Sequence, residues 1–182
     1  AGRPLVAWPV EQARQLGCAT IAVVVGHGSE AVRDKLGSAG LQFPLQAEQL
    51  GTGHALLSAE DSLNGFCGTV LLLCGDVPLL QKETLQQLLD LHRAEQAAVT
   101  VLTALVEDPY GYGRILRDGD RVKAIVEEKD ATDAERKTRE INSGIYAFEA
   151  PYVFEALRRV GRNNAQGEYY LTDVVAAACA DG

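Results

Sequence analysis

The chain has 182 residues, 47% of them hydrophobic and 23% charged, with a formal net charge of −8 at pH 7. That length holds one well-buried core without requiring two, so one domain over 1–182 is expected. The acidic balance lacks the basic footprint that a phosphate backbone demands, which argues against nucleic acid but not against small anions held by amides, a metal or single cations.

Cys18, Cys67, Cys74 and Cys179 have neither the paired short spacings of a zinc site nor a thioredoxin-type motif, so reduced thiols and a cytoplasmic setting are expected. No apolar run approaches the roughly 20 residues needed to cross a bilayer, and no signal-peptide pattern precedes the first helix, so no membrane partner is expected. There is no methionine, and the chain opens on Ala1-Gly-Arg-Pro4 directly into a helical pattern. A domain of this kind should open on a strand, and the sequence is therefore read as a fragment.

In chain order, Pro4 suits a helix first turn, apolar residues from Val10 to Leu16 keep to one face, and Gly17 closes the element, with Trp8-Pro9 expected to kink or restart it. Residues 20–25 are rich in β-branched side chains and read as a strand, followed by Gly26-His27-Gly28 and a short helix to Leu36, with Ser29 as the expected N-cap. Residues 43–47 read as extended, 52–60 as a helix, and 69–73 as a strand whose unbroken apolar run, Val70 to Leu73, fits a central parallel position covered on both faces. Leu85, Leu88, Leu89 and Leu91 give 82–96 a helical spacing. Residues 98–105 read as a strand, 114–117 and 122–126 as a hairpin about Asp118-Gly119, and 141–148 as a strand interrupted by Gly144. Residues 130–137 are charged and helix-compatible, and helices are expected over 151–160 and 171–179, separated by a polar loop at 161–168. The repeated strand, turn and helix predict an α/β fold: a three-layer sandwich on a mostly parallel sheet.

Two segments stand out chemically. In Gln46-Ala-Glu-Gln-Leu-Gly-Thr-Gly-His-Ala55, the small residues Gly51, Thr52 and Gly53 fall where an extended run meets a helix, so backbone N–H groups and the helix dipole could meet an anion or polar base. The same residues suit any helix entry, and Gln46 reads equally as a solvent-facing strand residue or as an amide that donates and accepts against a pyrimidine edge. In Cys74-Gly75-Asp76, the carboxylate stands at a strand's carboxyl end, where open α/β sheets place their ligands and where a hard oxygen suits Mg²⁺; a turn or N-cap role is the competing reading. Gly113 reads either as backbone permission for a turn or as close approach to a ligand. Glu127, at the end of a strand, is set apart from the solvated cluster Glu128, Lys129 and Asp130, and Asn142 reads as a local cap or as an amide for sugar hydroxyls. His27, His54 and His92 lie on separate elements, form no Ser-His-acid pattern, and are assigned structural or surface roles.

Six collinear segments together resemble the uridyltransferase domain of the bacterial bifunctional N-acetylglucosamine-1-phosphate uridyltransferase / glucosamine-1-phosphate acetyltransferase family: residues 45–55, Cys74-Gly-Asp-Val-Pro-Leu79, Asp108-Pro-Tyr-Gly-Tyr-Gly-Arg-Ile115, Ile125-Val-Glu-Glu-Lys-Asp-Ala131, Glu140-Ile-Asn-Ser-Gly-Ile145, and Asn163-Asn-Ala-Gln-Gly-Glu-Tyr-Tyr-Leu-Thr-Asp173. The resemblance implies a Rossmann-like sandwich of the nucleotide-diphospho-sugar transferase type. It also implies UTP and N-acetylglucosamine 1-phosphate as substrates, UDP-N-acetylglucosamine as product for cell-wall and lipopolysaccharide synthesis, and Mg²⁺ as cofactor. By that likeness Gln46 contacts uracil and Gly51 and Thr52 lie beside the nucleoside. Cys74, Gly75 and Asp76 then line the ribose and phosphates, with Asp76 on the metal as the catalytic residue, and Gly113, Glu127 and Asn142 contact the sugar. Cys74 replaces a usual aromatic residue, and the family's phosphate loop and a second metal-sharing asparagine would fall outside residues 1–182. Competing expectations are a fragment that only binds the nucleotide sugar and a relative using another nucleotide or sugar phosphate. A monomer is expected for this stretch and a trimer for a complete enzyme of the family.

Overall fold

The computed structural model describes residues 2–63 and 65–182. The first helix, α1 (Ala7–Gln15), begins three residues after Pro4 and runs through Pro9 without the expected restart. Pro9 sits in its first turn, where a missing N–H removes no intrahelical bond.

Residues 21–25 and 42–46 lie side by side in parallel: the Val23 and Val25 N–H groups donate to the carbonyls of Gln42 and Pro44, and those of Gln42 and Gln46 donate back to Ile21 and Val25. This pairing registers as two separate bridges, Ala22 with Gln42 and Val25 with Leu45, and not as a continuous ladder. Pro44 has no N–H to contribute midway, which accounts for the break. Between the two runs lies α2 (Ser29–Leu36), whose cap is Gly28 at φ 72°, not Ser29 as the sequence predicts. The reversal from extended chain into helix here uses a left-handed residue, which glycine adopts without a Cβ penalty.

The main sheet comprises β1 (Thr69–Leu72), β2 (Val99–Leu105), β3 (Arg114–Asp118), β4 (Arg121–Val126) and β5 (Glu140–Glu149). Its organising strand is β5, which pairs antiparallel with β1 (Thr69 with Glu149 through Leu72 with Tyr146), with β2, and at Ile141 with Arg114 of β3. The expectation of a mostly parallel sheet is therefore corrected. β1 and β2 each run opposite to β5, which lies between them, so every pairing between the named strands is antiparallel, and the parallel pairing among the described residues is that of 21–25 with 42–46. Alternation of strands and helices predicts crossovers, but it cannot reveal that a strand 35 residues beyond β2 returns in reverse to fill the gap. β3 and β4 form the expected hairpin with the turn at Gly119-Asp120, one residue later than the Asp-Gly pattern places it.

Gly144 does not interrupt β5; it bulges it. Pairing with β2 passes from Leu102–Ile145 directly to Thr103–Asn142, leaving Ser143 and Gly144 unopposed. Gly144 takes φ 77°, and the Ser143 hydroxyl donates to the Leu102 carbonyl at 2.6 Å, closing the bulge.

Helices cover both faces, as a three-layer sandwich requires. Ile145 and Ala147 of β5 face α4 (Lys82–Ala94) through Leu85, Leu88 and Leu89. Tyr146 and Phe148 face α3 (Thr52–Ser58), α5 (Ala150–Arg159) and α6 (Thr172–Asp181) through Leu56, Val153, Leu157 and Val174. α1 packs Val10 against Val23, Val25 and Leu41 in a smaller cluster. His92 on α4 is buried, with Nδ1 2.9 Å from the Thr100 hydroxyl and Nε2 3.2 Å from Glu149, while Thr69 donates to the same Glu149 oxygen. This ties α4 to three strands, a structural role in line with its sequence reading. All four cysteines are free. No helix among the described residues is long and apolar enough to cross a membrane.

The register of α4 is checked by two truncations. Leu85 is 0% exposed and Leu91 53%, so Leu85→Ala should lower unfolding free energy by about 2–5 kcal/mol and Leu91→Ala by no more than about 0.5 kcal/mol in urea titrations.

Candidate functional site

The glycine turn is built against a distant part of its own chain. Gly51 caps α3 at φ 103°, and a Cβ there would lie 2.8 Å from both Glu168 Cβ and the Tyr169 carbonyl oxygen. The Gly53 N–H donates to Tyr169 O at 2.8 Å, the Tyr169 N–H to Leu50 O at 2.8 Å, and the Leu171 N–H to the Thr52 hydroxyl at 3.1 Å. The glycines are thus required by close chain packing, and one of the amides expected to face a ligand is already used. Gln46, at the end of the parallel pair, directs Nε2 to Gly51 O (3.1 Å) and to His54 Nδ1 (3.1 Å). Its donor side is committed, which leaves the acceptor Oε1 as the group for a ligand. His54 stacks on Tyr169 at 6.3 Å, and so orients Gln46.

Beyond β1 the chain emerges at Cys74, Gly75 and Asp76. The Cys74 thiol donates to Gly144 O at 3.3 Å, and a Cβ on Gly144 would meet that sulfur at 2.7 Å. The bulge in β5 therefore seats the β1 exit. Burial pushes the Cys74 thiol above its usual range, and the neighbouring Asp76 carboxylate adds to the shift. Asp76 itself is exposed. Among the described residues no three His, Cys, Asp or Glu side chains gather as a metal cage. A lone carboxylate matches the habit of Mg²⁺, which keeps waters and substrate phosphates and takes one or two protein carboxylates.

Gly113, Glu127 and Asn142 come together. The Asn142 N–H donates to Gly113 O at 2.9 Å, and the Gly144 N–H donates to Asn142 Oδ1 at 2.9 Å. A Cβ on Gly113 would stand 3.4 Å from Glu127 Oε2 and 3.5 Å from Asn142 Cβ. Glu127 accepts a 3.2 Å hydrogen bond from the buried Thr172 hydroxyl. Burial holds its carboxyl above the usual range against the opposing pull of that hydroxyl, and Asp130 and Asp173 raise it further.

The rest of the charge cluster is not simply solvated. Glu128 pairs with Arg114, which is 2% exposed, at 2.6 Å, and accepts the Gly111 N–H at 3.2 Å. Asp130 accepts from Ala165 N and from the Tyr170 hydroxyl, and Lys129 donates to Gln166. These partners lie up to 40 residues downstream, so local pattern could not name them. Residues missing from the sequence-derived site are Thr172, His54, Tyr169 and Tyr146, and the signal available for the first three was their place in the segments 163–173 and 45–55. The segment 163–173 joins the two groups: Thr52 holds Leu171, and the next residue, Thr172, holds Glu127.

A Rossmann-like sandwich with glycine turns and a carboxylate beyond the carboxyl end of β1 has the frame in which α/β proteins bind their ligands. The family model for nucleotidyl transferases matches residues 1–182, and the chain belongs to that family. It is 61% identical over 182 residues to the bifunctional protein GlmU of Syntrophotalea carbinolica, covering 100% of this chain and 39% of that protein, so it spans about two fifths of that relative's length. Among solved structures it is similar to a UDP-glucose pyrophosphorylase complexed with UDP-glucose (TM-score 0.79, 20% identity, 98% of this chain and 76% of that one). It is also similar to a putative glucose-1-phosphate thymidylyltransferase from Bacillus anthracis (TM-score 0.80, 20% identity, 98% and 71%). At that identity these two attest the fold.

Two outcomes test the geometry. Gly51→Ala combines a strained φ with a backbone clash and should cost about 1–3 kcal/mol or more in denaturant unfolding. Because the Glu127 carboxyl is raised in the folded chain, its contribution to stability is full below the ordinary carboxyl range and is lost as pH rises through the raised value. Glu127→Gln should therefore unfold at higher temperature than wild type near neutral pH, with the gap closing toward pH 4.

Proposed function

We propose that this chain transfers a uridylyl group from UTP to N-acetylglucosamine 1-phosphate, giving UDP-N-acetylglucosamine and pyrophosphate. The observation that supports it most is that Gly113, Glu127 and Asn142 adjoin one another, with Cys74 linked to Asn142 through Gly144, and are joined through residues 171–172 to the turn next to Gln46, in a chain 61% identical to a bifunctional protein GlmU. In this proposal Gln46 Oε1 accepts the ring N–H of uracil, and Gly51 and Thr52 border the nucleoside. Cys74 and Gly75 border the ribose through their backbone, and Gly113, Glu127 and Asn142 hold the sugar. Glu127 and Asn142 present acceptor and amide groups to sugar hydroxyls and the acetamido group.

The sugar phosphate oxygen attacks the α-phosphorus in line and pyrophosphate leaves, so no protein nucleophile is needed and alignment supplies much of the rate. Asp76 would hold Mg²⁺, which supplies charge neutralisation at the phosphates. A complete enzyme of this kind would work in the cytoplasm, and the trimer expected for it would be assembled by regions outside residues 1–182.

In the full-length protein, Asp76→Ala should lower Mg²⁺-dependent pyrophosphate release by about 10²–10³-fold or more, and activity within a few-fold of wild type would remove Asp76 from the metal. A panel of UTP, CTP, GTP and dTTP should show preference for UTP, and equal use of all four would end the uracil assignment.

A further inference from the structure

Tyr146 is 1% exposed on β5, stacked on Phe148 with ring centroids 5.2 Å apart. Its hydroxyl is buried without a hydrogen-bond partner among the described residues. The groups around it are the Glu127 carboxylate, the Asn142 amide and the Cys74 thiol; burial and then Glu127 hold the phenol above its usual range, while the amide, near but short of a formed hydrogen bond, pulls the other way. Three of the residues assigned above to the ligand thus lie near one unpartnered donor.

The acceptors nearby are partly used. Asn142 Oδ1 takes the Gly144 N–H and Glu127 Oε1 takes the Thr172 hydroxyl, whereas Glu127 Oε2 lies toward Gly113. A buried hydroxyl with no partner is costly, and phenylalanine would fill the same core, as Phe148 does next to it. Shape alone does not account for a tyrosine here.

We propose that Tyr146 is a positioning residue of the sugar end of the site, its hydroxyl donating to Glu127 when a bound nucleotide sugar draws Glu127 and Asn142 into place. The proposal rests on the uridylyl-transfer reading. It makes the hydroxyl neutral or unfavourable to the free protein and favourable to the complex, the opposite of an ordinary structural tyrosine.

The test uses full-length protein, calorimetry with UDP-N-acetylglucosamine and with UTP, and the melting temperature without ligand. Tyr146→Phe should weaken UDP-N-acetylglucosamine binding about tenfold, change UTP binding by less than about twofold, and leave the ligand-free melting temperature equal or higher. Tyr146→Leu should show the same split between the two ligands. In a double-mutant cycle, Tyr146→Phe should cost less than about twofold once Glu127 is Gln. A lower melting temperature with unchanged affinities, or additive losses in the cycle, would overturn the role. Wild type that binds the nucleotide sugar while Tyr146→Phe matches it would overturn this role alone, whereas failure of wild type to bind would remove the transfer reading as well.

Discussion

Residues 168–172 are held between the two halves of the candidate site, and most of its geometry depends on that placement. On one side Tyr169 exchanges backbone hydrogen bonds with Leu50 and Gly53, and Leu171 donates to Thr52; on the other, Thr172 donates to Glu127. A clamp this close leaves no room for a Cβ at Gly51 or Gly53, each of which would meet the Tyr169 carbonyl within 2.9 Å. It also sets the Thr172 hydroxyl against Glu127, opposing the upward push that burial gives that carboxyl. The residues bordering the proposed nucleoside and those bordering the proposed sugar are then two edges of one hydrogen-bonded unit, so a displacement of the clamp moves both.

The bulge in β5 plays the complementary part. Two unopposed residues let Gly144 turn its carbonyl toward Cys74, setting the exit of β1 against the start of β3. Regular pairing would carry β5 straight past that junction. Bulges re-aim side chains at a local loss of pairing, and here the loss is offset by the Ser143 hydroxyl and the Asn142 side chain, both bonded within the bulge. A buried carboxyl that titrates high and an unpartnered phenol beside it both cost stability, as is common where a surface is shaped for a ligand and not for the chain alone.

Much of the fold is legible in the sequence because local patterns carry it. The apolar spacing of α4, the run before Cys74 and the Asp-Gly hairpin fall within a residue or two of their predicted positions. What escapes is directional and non-local. Nothing in residues 140–149 announces that they run antiparallel between two strands, and the pattern around Pro44 reads as extended without showing that its missing donor will break the pairing. For the candidate site, Gln46, Gly113, Glu127 and Asn142 stand out from residue chemistry and resemblance, but their partners His54 and Thr172, though inside resembling segments, carry no local pattern that says what they bond. Glu128 misleads for the same reason: a carboxylate in a charged run reads as solvated until the buried Arg114 from another strand is seen against it.

Charge decides what the proposed chemistry still requires. Arg114 is committed to Glu128, and Arg162 donates to the Gly167 carbonyl with its guanidinium 5.5 Å over the Tyr169 ring. Asp76 borders the proposed phosphates, and at the proposed sugar end Glu127 has Asp130 and Asp173 near it. Two unit charges 4 Å apart repel by about 4 kcal/mol at an effective dielectric of about 20, so several phosphate charges beside these carboxylates would be excluded unless cations intervened. An exposed Asp76 is well suited to recruit one, because a solvated carboxylate loses little hydration on binding an ion that itself keeps most of its waters. The buried Glu127, already accepting from the Thr172 hydroxyl and set beside Gly113 and Asn142, suits the opposite role of meeting uncharged hydroxyls. In the proposed reading the two acids, one exposed and one buried, would serve as a charge-recruiting end and a neutral-recognition end of the site.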